Sequence, residues 1–127
     1  MGQSGASPHP KEVLVVEDEP MIRMAAADAL ADHGIMAWEA ADAQEALQSI
    51  EQHPGIGLLF TDVNMPGKVD GLGLAQEVVV SHPEVELIVT SGAVTLRSED
   101  LPDHGTFLPK PYSMKQMVAL VDNKLDC

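Results

Sequence analysis

Three largely apolar runs of strand length, residues 13–16, 56–60 and 85–90, constrain this chain more than any other feature. Each is nearly continuous instead of alternating, the pattern of a strand covered on both faces. Such strands belong to parallel sheets flanked by helices, and the segments between them have helical spacing. Ile22, Ala26, Ala29 and Leu30 share one helical face; so do Ala43, Ala46, Leu47 and Ile50, and Leu72, Leu74, Ala75, Val78 and Val79. Met114, Met117, Val118, Val121 and Leu125 form a last apolar stripe. Two weaker strands, over residues 35–39 and 106–108, are each preceded by glycine and belong at or near the sheet edges.

Strict alternation of strand and helix predicts an α/β fold: a flavodoxin-like, doubly wound, five-stranded parallel sheet of order 2-1-3-4-5 with right-handed crossovers. Local signals agree. Asp42 with Glu45, and Ser113 with Gln116, have the spacing of capping boxes, while Gly34, Pro54 and Pro83 stand where helices should already have ended. The fourth helix, confined to residues 93–104 with Pro102 inside and Gly105 after it, is expected to be short or irregular. Residues 1–10, rich in Gly, Ser and Pro, are expected to form a disordered leader. Residues 11–127 then make one domain, large enough to bury a core without disulfides.

Composition excludes several functions. Twenty acidic residues against seven basic ones give a formal net charge of -13, which opposes nucleic acid and anionic lipid, so neither is an expected partner. The only cysteine is Cys127, which rules out internal disulfides and thiolate-rich metal sites. No apolar run approaches the ~20 residues that a membrane span needs. A soluble, cytoplasmic protein is expected.

The chemistry lies at the strand ends. Glu17 and Asp18 follow the first strand, Asp62 the third, Ser91 the fourth, and Lys110-Pro111 the fifth. In the order 2-1-3 the first and third strands are neighbours, which puts the three carboxylates at the topological switch point. Three close carboxylates do not all stay ionised unless a cation joins them. Mg2+ suits an all-oxygen site and keeps room for phosphate oxygens, and zinc would find no nitrogen or sulfur ligands here. One carboxylate could then attack phosphorus and form an acyl phosphate, with Lys110 and Ser91 holding the phosphoryl oxygens.

Each residue alone has an ordinary explanation. Asp18 could cap the next helix, Ser91-Gly92 could mark a turn, and Lys110-Pro111 is a common pair. Their ordered combination carries the weight. His33, His53, His82 and His104 fall near helix ends or loops and receive no catalytic role. The seven methionines are expected mainly as core filler.

Four stretches, VLVVEDEP, LLFTDVNMPG with DGL close behind, LIVTSG and FLPKPY, occur in order. Over about residues 12–124 the chain resembles the receiver domains of two-component response regulators. The resemblance implies that Asp62 accepts phosphate from a phosphohistidine on a sensor histidine kinase or phosphotransfer protein. Asp18 and Asp62 would bind Mg2+ with the backbone carbonyl of Asn64, and Glu17 would act through a bound water. Ser91 matches the switch hydroxyl, Lys110 the phosphate-pairing lysine, and Phe107 the aromatic whose rotamer follows the switch. Pro111 matches a proline after a cis bond. The output would be a changed surface read by a downstream protein, either from a stand-alone regulator or from part of a hybrid kinase.

Departures from the family pattern are few. Glu17 replaces the commoner Asp and Ser91 the commoner Thr, both keeping the chemistry, and the loop over residues 66–71 is one residue longer. Asn64 and Ala93 occupy positions that tune the phosphoryl lifetime, and slow autodephosphorylation is expected. Two other classes remain. A pseudo-receiver would bind partners without phosphorylation, but such proteins tend to lose an acid or the lysine. A haloacid dehalogenase-type phosphatase needs a second Asp two residues after the nucleophile, where Asn64 stands.

Overall fold

The central strand, β3 (Ile56–Asp62), is buried along its whole length, as a strand covered on both faces must be. The computed structural model describes residues 12–63, 70–92, 101 and 105–125. Four more strands, β1 (Glu12–Val16), β2 (Ala37–Ala40), β4 (Glu86–Ser91) and β5 (Gly105–Pro109), complete one sheet of order β2-β1-β3-β4-β5. Every neighbouring pair is parallel. Among the described residues the helices are α1 (Pro20–Asp32), α2 (Ala43–Gln52), α3 (Gly71–Ser81) and α4 (Met114–Leu125). This is the flavodoxin-like, doubly wound sheet that the alternation predicts.

Two apolar layers hold it. Val13, Val15, Leu58, Phe60, Ile88 and Leu108 meet Ala26 and Leu30 of α1 and Met117 and Val121 of α4 on one face. Leu14, Val16, Leu59, Leu87 and Val89 meet α2 and α3 on the other. Each fully buried Leu, Ile or Val side chain stabilises the fold by about 1.5–3 kcal/mol before entropy is counted. The double row on β1 and β3 makes these strands a firm base for whatever their ends carry.

Helix ends follow local chemistry. Helix α1 starts with Pro20 at its first position and closes with a Schellman motif. There Gly34, at φ +82°, donates to Ala31 O and Ile35 N donates to Leu30 O, each at 2.9 Å. Asp42 Oδ1 accepts from Glu45 N at 2.8 Å, and Glu45 Oε1 reaches back to Ala41 N, one residue earlier than a regular capping box. Ser113 Oγ accepts from Gln116 N at 2.9 Å. Asp70 Oδ1 caps α3 through Gly73 N, a cap that the sequence reading missed.

The differences are local. Strand β2 starts at Ala37 and not at residue 35, because Ile35 is used in closing α1. Strands β3 and β4 run on to include Asp62 and Ser91 themselves. The expectation for the methionines needs correcting. Met117 is core, but Met21 and Met24 are exposed, since Ala26, Ala27 and Leu30 already fill the buried face of α1, and Met36, just before β2, is exposed as well. Of the segment expected to form the fourth helix, only Leu101 lies within the described residues, where it is buried. The leader over residues 1–10 lies outside them. No described helix is long and apolar enough to cross a membrane.

Candidate functional site

Glu17 is placed by the end of β1: its N–H donates to Ala40 O of β2 at 3.1 Å, so the chain is held for one residue beyond the strand. The turn then passes through Asp18 and Glu19 to Pro20. Glu19 is the N-cap of α1, yet its side chain makes no cap hydrogen bond. The Asp18 side chain is exposed and shares a hydrogen bond with Glu17. Glu19 N donates to Glu17 Oε2 at 3.1 Å, turning the Glu17 carboxylate back toward the strand ends.

Asp62 ends β3 and is almost fully buried. Val63 N donates to Thr90 O at 2.9 Å, and Gly71 N to Val63 O at 3.1 Å, so the chain is pinned on both sides just past Asp62. Gly71 is needed there: a Cβ at that position would strike the Asp62 carbonyl oxygen. Ser91 ends β4, and its carbonyl accepts from Lys110 N at 3.2 Å, which ties the fourth strand end to the lysine. The Lys110-Pro111 peptide bond is cis, as the resemblance implied.

These placements bring Glu17, Asp18, Asp62, Ser91 and Lys110 to one rim. Carboxylate oxygens of Glu17, Asp18 and Asp62 all lie within 4.8 Å of one another, a cluster that could hold a metal ion. Lys110 Nζ is 2.6 Å from Asp62 Oδ2 and 3.5 Å from Glu17 Oε1. Phe107 pairs in register with Val89, and Ser91 with Pro109, so Phe107 and Ser91 lie on the same sheet face one step apart. Phe107 packs against the α2 and α3 layer. Asn64 lies outside the described residues, as does Ala93.

Electrostatics mark the crevice as unusual. Burial pushes the Glu17 carboxyl up to about 7; the Glu19 hydrogen bond pulls it back, Asp62 raises it further and Lys110 lowers it. Burial works to lower the Lys110 ammonium, but its bond to Asp62 and the charges of Asp62 and Glu17 outweigh that and raise it. Burial also raises the Tyr112 phenol, whose ring meets Phe60 edge-on at 5.8 Å. A carboxyl held up near neutrality by burial beside a second carboxylate is short of positive charge. The donor set is all oxygen, which suits a hard divalent cation.

Three contributors escaped the sequence reading. Arg23 Nη1 donates to the Glu17 carbonyl oxygen at 2.8 Å. Gly71 packs against the Asp62 backbone. Tyr112 stands within the electrostatic reach of Lys110, Glu17 and Asp62. Only Gly71 had a visible signal, the Asp70-Gly71 pair after the loop.

Sheet order and rim together define a doubly wound α/β module with an acidic, lysine-paired site at its switch point. Residues 13–122 match the family model described as the response regulator receiver domain. The chain belongs to that family, whose members partner with histidine kinases or phosphotransfer proteins. It is 38% identical over 118 residues to the sensor kinase CckA of Brucella abortus, covering 90% of this chain and 12% of that protein. It is 32% identical over 116 residues to the transcriptional regulatory protein PdtaR of Mycobacterium tuberculosis, covering 89% of this chain and 56% of the relative. The chain thus spans only part of the length of these relatives. Among solved structures, the receiver domain of NtrX from Brucella abortus superposes with a TM-score of 0.79 at 30% identity, covering 91% of this chain and 98% of that one. The receiver domain of the hybrid histidine kinase CckA gives 0.78 at 35% identity, covering 90% and 98%.

Proposed function

We propose that this chain is a phosphorylation switch in which Asp62 is the phosphoryl acceptor. The observation that carries the reading is Asp62 itself: a buried carboxylate within 4.8 Å of two other carboxylates and 2.6 Å from an ammonium. The donor is a phosphohistidine on a sensor histidine kinase or a phosphotransfer protein. An Asp62 carboxylate oxygen forms the new bond to phosphorus, the bond from phosphorus to the imidazole nitrogen breaks, and the electron pair leaves with the imidazole.

Glu17, Asp18 and Asp62, with the main-chain carbonyl of Asn64, would hold Mg2+. That ion, when bound, neutralises charge on the incoming phosphoryl oxygens and on the carboxylates around them. The chain's own residues do the rest. Lys110 exchanges its contact with Asp62 for the phosphoryl oxygens, and the Ser91 hydroxyl donates to one of them. Phe107, on the Ser91 face of the sheet, follows that movement and alters the surface offered to a downstream protein. A cytoplasmic location, action through protein contacts and slow autodephosphorylation complete the proposal.

Incubation with acetyl phosphate and Mg2+, followed by intact mass, tests it. Wild type should gain the mass of one phosphoryl group, and Asp62→Ala should gain none. Absence of the adduct on wild type, or its persistence on Asp62→Ala, refutes the assignment.

A further inference from the structure

Arg23 is the fourth residue of α1, at the helix end where the macrodipole favours anions and opposes cations. The first turn carries no acidic residue to offset it. Its side chain is nevertheless well covered, with 18% exposure, and its planar fork serves two elements at once. Nη1 donates to the Glu17 carbonyl oxygen at 2.8 Å, and Nε pairs with Glu39 Oε1 of β2 at 3.2 Å. An exposed Arg–Glu pair alone adds ~0–1 kcal/mol and would explain little. The carbonyl contact is different in kind, because it acts on the turn that carries two of the three clustered carboxylates.

Glu17 has main-chain groups held on both sides. Its N–H is fixed on Ala40 O, and its carbonyl oxygen, which belongs to the peptide leading into Asp18, is fixed by Arg23. The guanidinium is in turn fixed by Glu39, one residue before Ala40 on the same strand. Strand β2 thus holds the peptides on both sides of Glu17: by backbone the Val16-Glu17 peptide, and through Arg23 the Glu17-Asp18 peptide. The orientation of that peptide decides where the Asp18 side chain leaves the chain relative to Asp62.

We propose that Arg23, clamped by Glu39, is a positioning residue for the acidic site: by holding the Glu17 carbonyl oxygen it sets the turn on which Glu17 and Asp18 are carried. This rests on the reading of that cluster as a Mg2+ site. Arg23 touches neither a substrate nor a reacting atom, so its loss should weaken cation binding without abolishing it. Groups that orient metal ligands from behind typically change metal affinity by about 10–100-fold when removed.

The test is calorimetric titration of Mg2+ into wild type, Arg23→Gln, Arg23→Lys, Glu39→Gln and the Arg23→Gln/Glu39→Gln pair, with thermal melts of each in EDTA. Arg23→Gln should raise the Kd about 10-fold while the metal-free melt stays close to wild type. Arg23→Lys should recover part of that loss, since an ammonium reaches one partner but not both. Glu39→Gln should have a smaller effect, which disappears in the Arg23→Gln background. An unchanged Kd in Arg23→Gln with normal binding by wild type overturns the positioning role and leaves the functional reading intact. Absence of Mg2+ binding by wild type overturns both. If Arg23→Gln fails to fold, Glu39→Gln, altered at a more exposed side chain, still decides: a Kd equal to wild type counts against the clamp.

Discussion

Lys110 Nζ lies 2.6 Å from Asp62 Oδ2, so the ammonium proposed to meet an incoming phosphoryl group is already held by the carboxylate proposed to receive it. The pair is partly buried, with Asp62 almost fully covered. It pairs Asp62 in the resting protein and, on the proposed reading, would be exchanged on phosphorylation. Because the lysine is engaged before any phosphoryl group arrives, its removal should be felt before any chemistry begins.

Lys110→Met should destabilise the metal-free protein by about 3 kcal/mol, because Asp62 and Glu17 are left buried without their cation. Millimolar Mg2+ should restore much of that loss. Urea unfolding in EDTA and in Mg2+ measures both. A loss below ~0.5 kcal/mol would mean that solvent screens the pair and that the lysine is kept only for the phosphorylated state.

Glu17 gives the protein a pH dependence of definite sign. Its carboxyl is pushed from 4.5 up to about 7, chiefly by burial. A carboxyl raised by folding favours the folded state only while protonated, so its contribution is full below 4.5 and is lost as pH rises through about 7. At ~1.4 kcal/mol for each pKa unit the loss is at most about 3 kcal/mol. In EDTA, Glu17→Gln should therefore be more stable than wild type at pH 8, by about 1–3 kcal/mol, and should lack this slope. With Mg2+ present the order should reverse, because the variant has lost a carboxylate from the cluster. Denaturant midpoints at several pH values would show it, and equal slopes for the two proteins in EDTA would sink the idea.

How much was legible in the sequence depends on where each constraint originates. The runs leading to Val16, Phe60 and Thr90 announced themselves because burial on two faces forces a continuous apolar pattern. Asp62 and Lys110 were legible for the opposite reason, being polar groups at strand ends where packing has no use for them. Strand β2 was placed too early because only Ala40 among its residues is fully buried, which leaves little pattern to fix its start. Arg23 acts on a main-chain oxygen, and no residue type encodes where a carbonyl will point. Met21 and Met24 show the same limit from the other side: helical spacing gives a face, but neighbouring residues decide whether a methionine is needed to fill it.

Gly71 should be intolerant of a single methyl group. A Cβ there would collide with the Asp62 carbonyl oxygen and crowd Val63 Cα, both main-chain atoms that cannot rotate away. Gly71→Ala should cost about 1–3 kcal/mol and slow phosphorylation by acetyl phosphate as Asp62 is displaced. Gly34→Ala is the control. Its φ of +82° strains an alanine, but the space around it is open, and it follows the C-terminal end of α1 whereas Glu17 and Asp18 precede the start of that helix. It should cost ~1 kcal/mol and leave the phosphorylation rate alone. Equal rates for Gly71→Ala and wild type would show that the strand end tolerates the shift.

Thr90 neighbours Asp62 in register, and its Oγ1 is buried without a hydrogen-bond partner among the described residues. An orphaned buried hydroxyl costs about 1–3 kcal/mol. Thr90→Val keeps the shape and removes the orphan, so it should raise stability by ~1 kcal/mol. Phosphorylation kinetics then separate two cases. An unchanged rate leaves Thr90 with a structural cost only, whereas a slower rate assigns its hydroxyl a part in the site.

Trp38 offers a spectroscopic check on how far the site's influence extends. Its indole N–H donates to Glu12 Oε1 at 2.7 Å, and its ring stacks on His53 with centroids 3.6 Å apart. Glu12 opens β1 whereas Glu17 follows its end; five residues of strand span ~16 Å, so these partners belong to the opposite end of the sheet. Among the described residues Trp38 packs on a largely aliphatic layer, and its hydrogen bond and stacked ring both involve residues of that far end. Trp38 emission should therefore ignore Mg2+ and phosphorylation, while His53→Gln, which removes the stacked imidazole, should change it clearly. Steady-state emission of wild type, His53→Gln and Asp62→Ala, with and without Mg2+ and acetyl phosphate, measures this. A change on phosphorylation that Asp62→Ala lacks would show that β1 or β3 carries the event through the sheet, and the far end would then have to be counted as part of the switch.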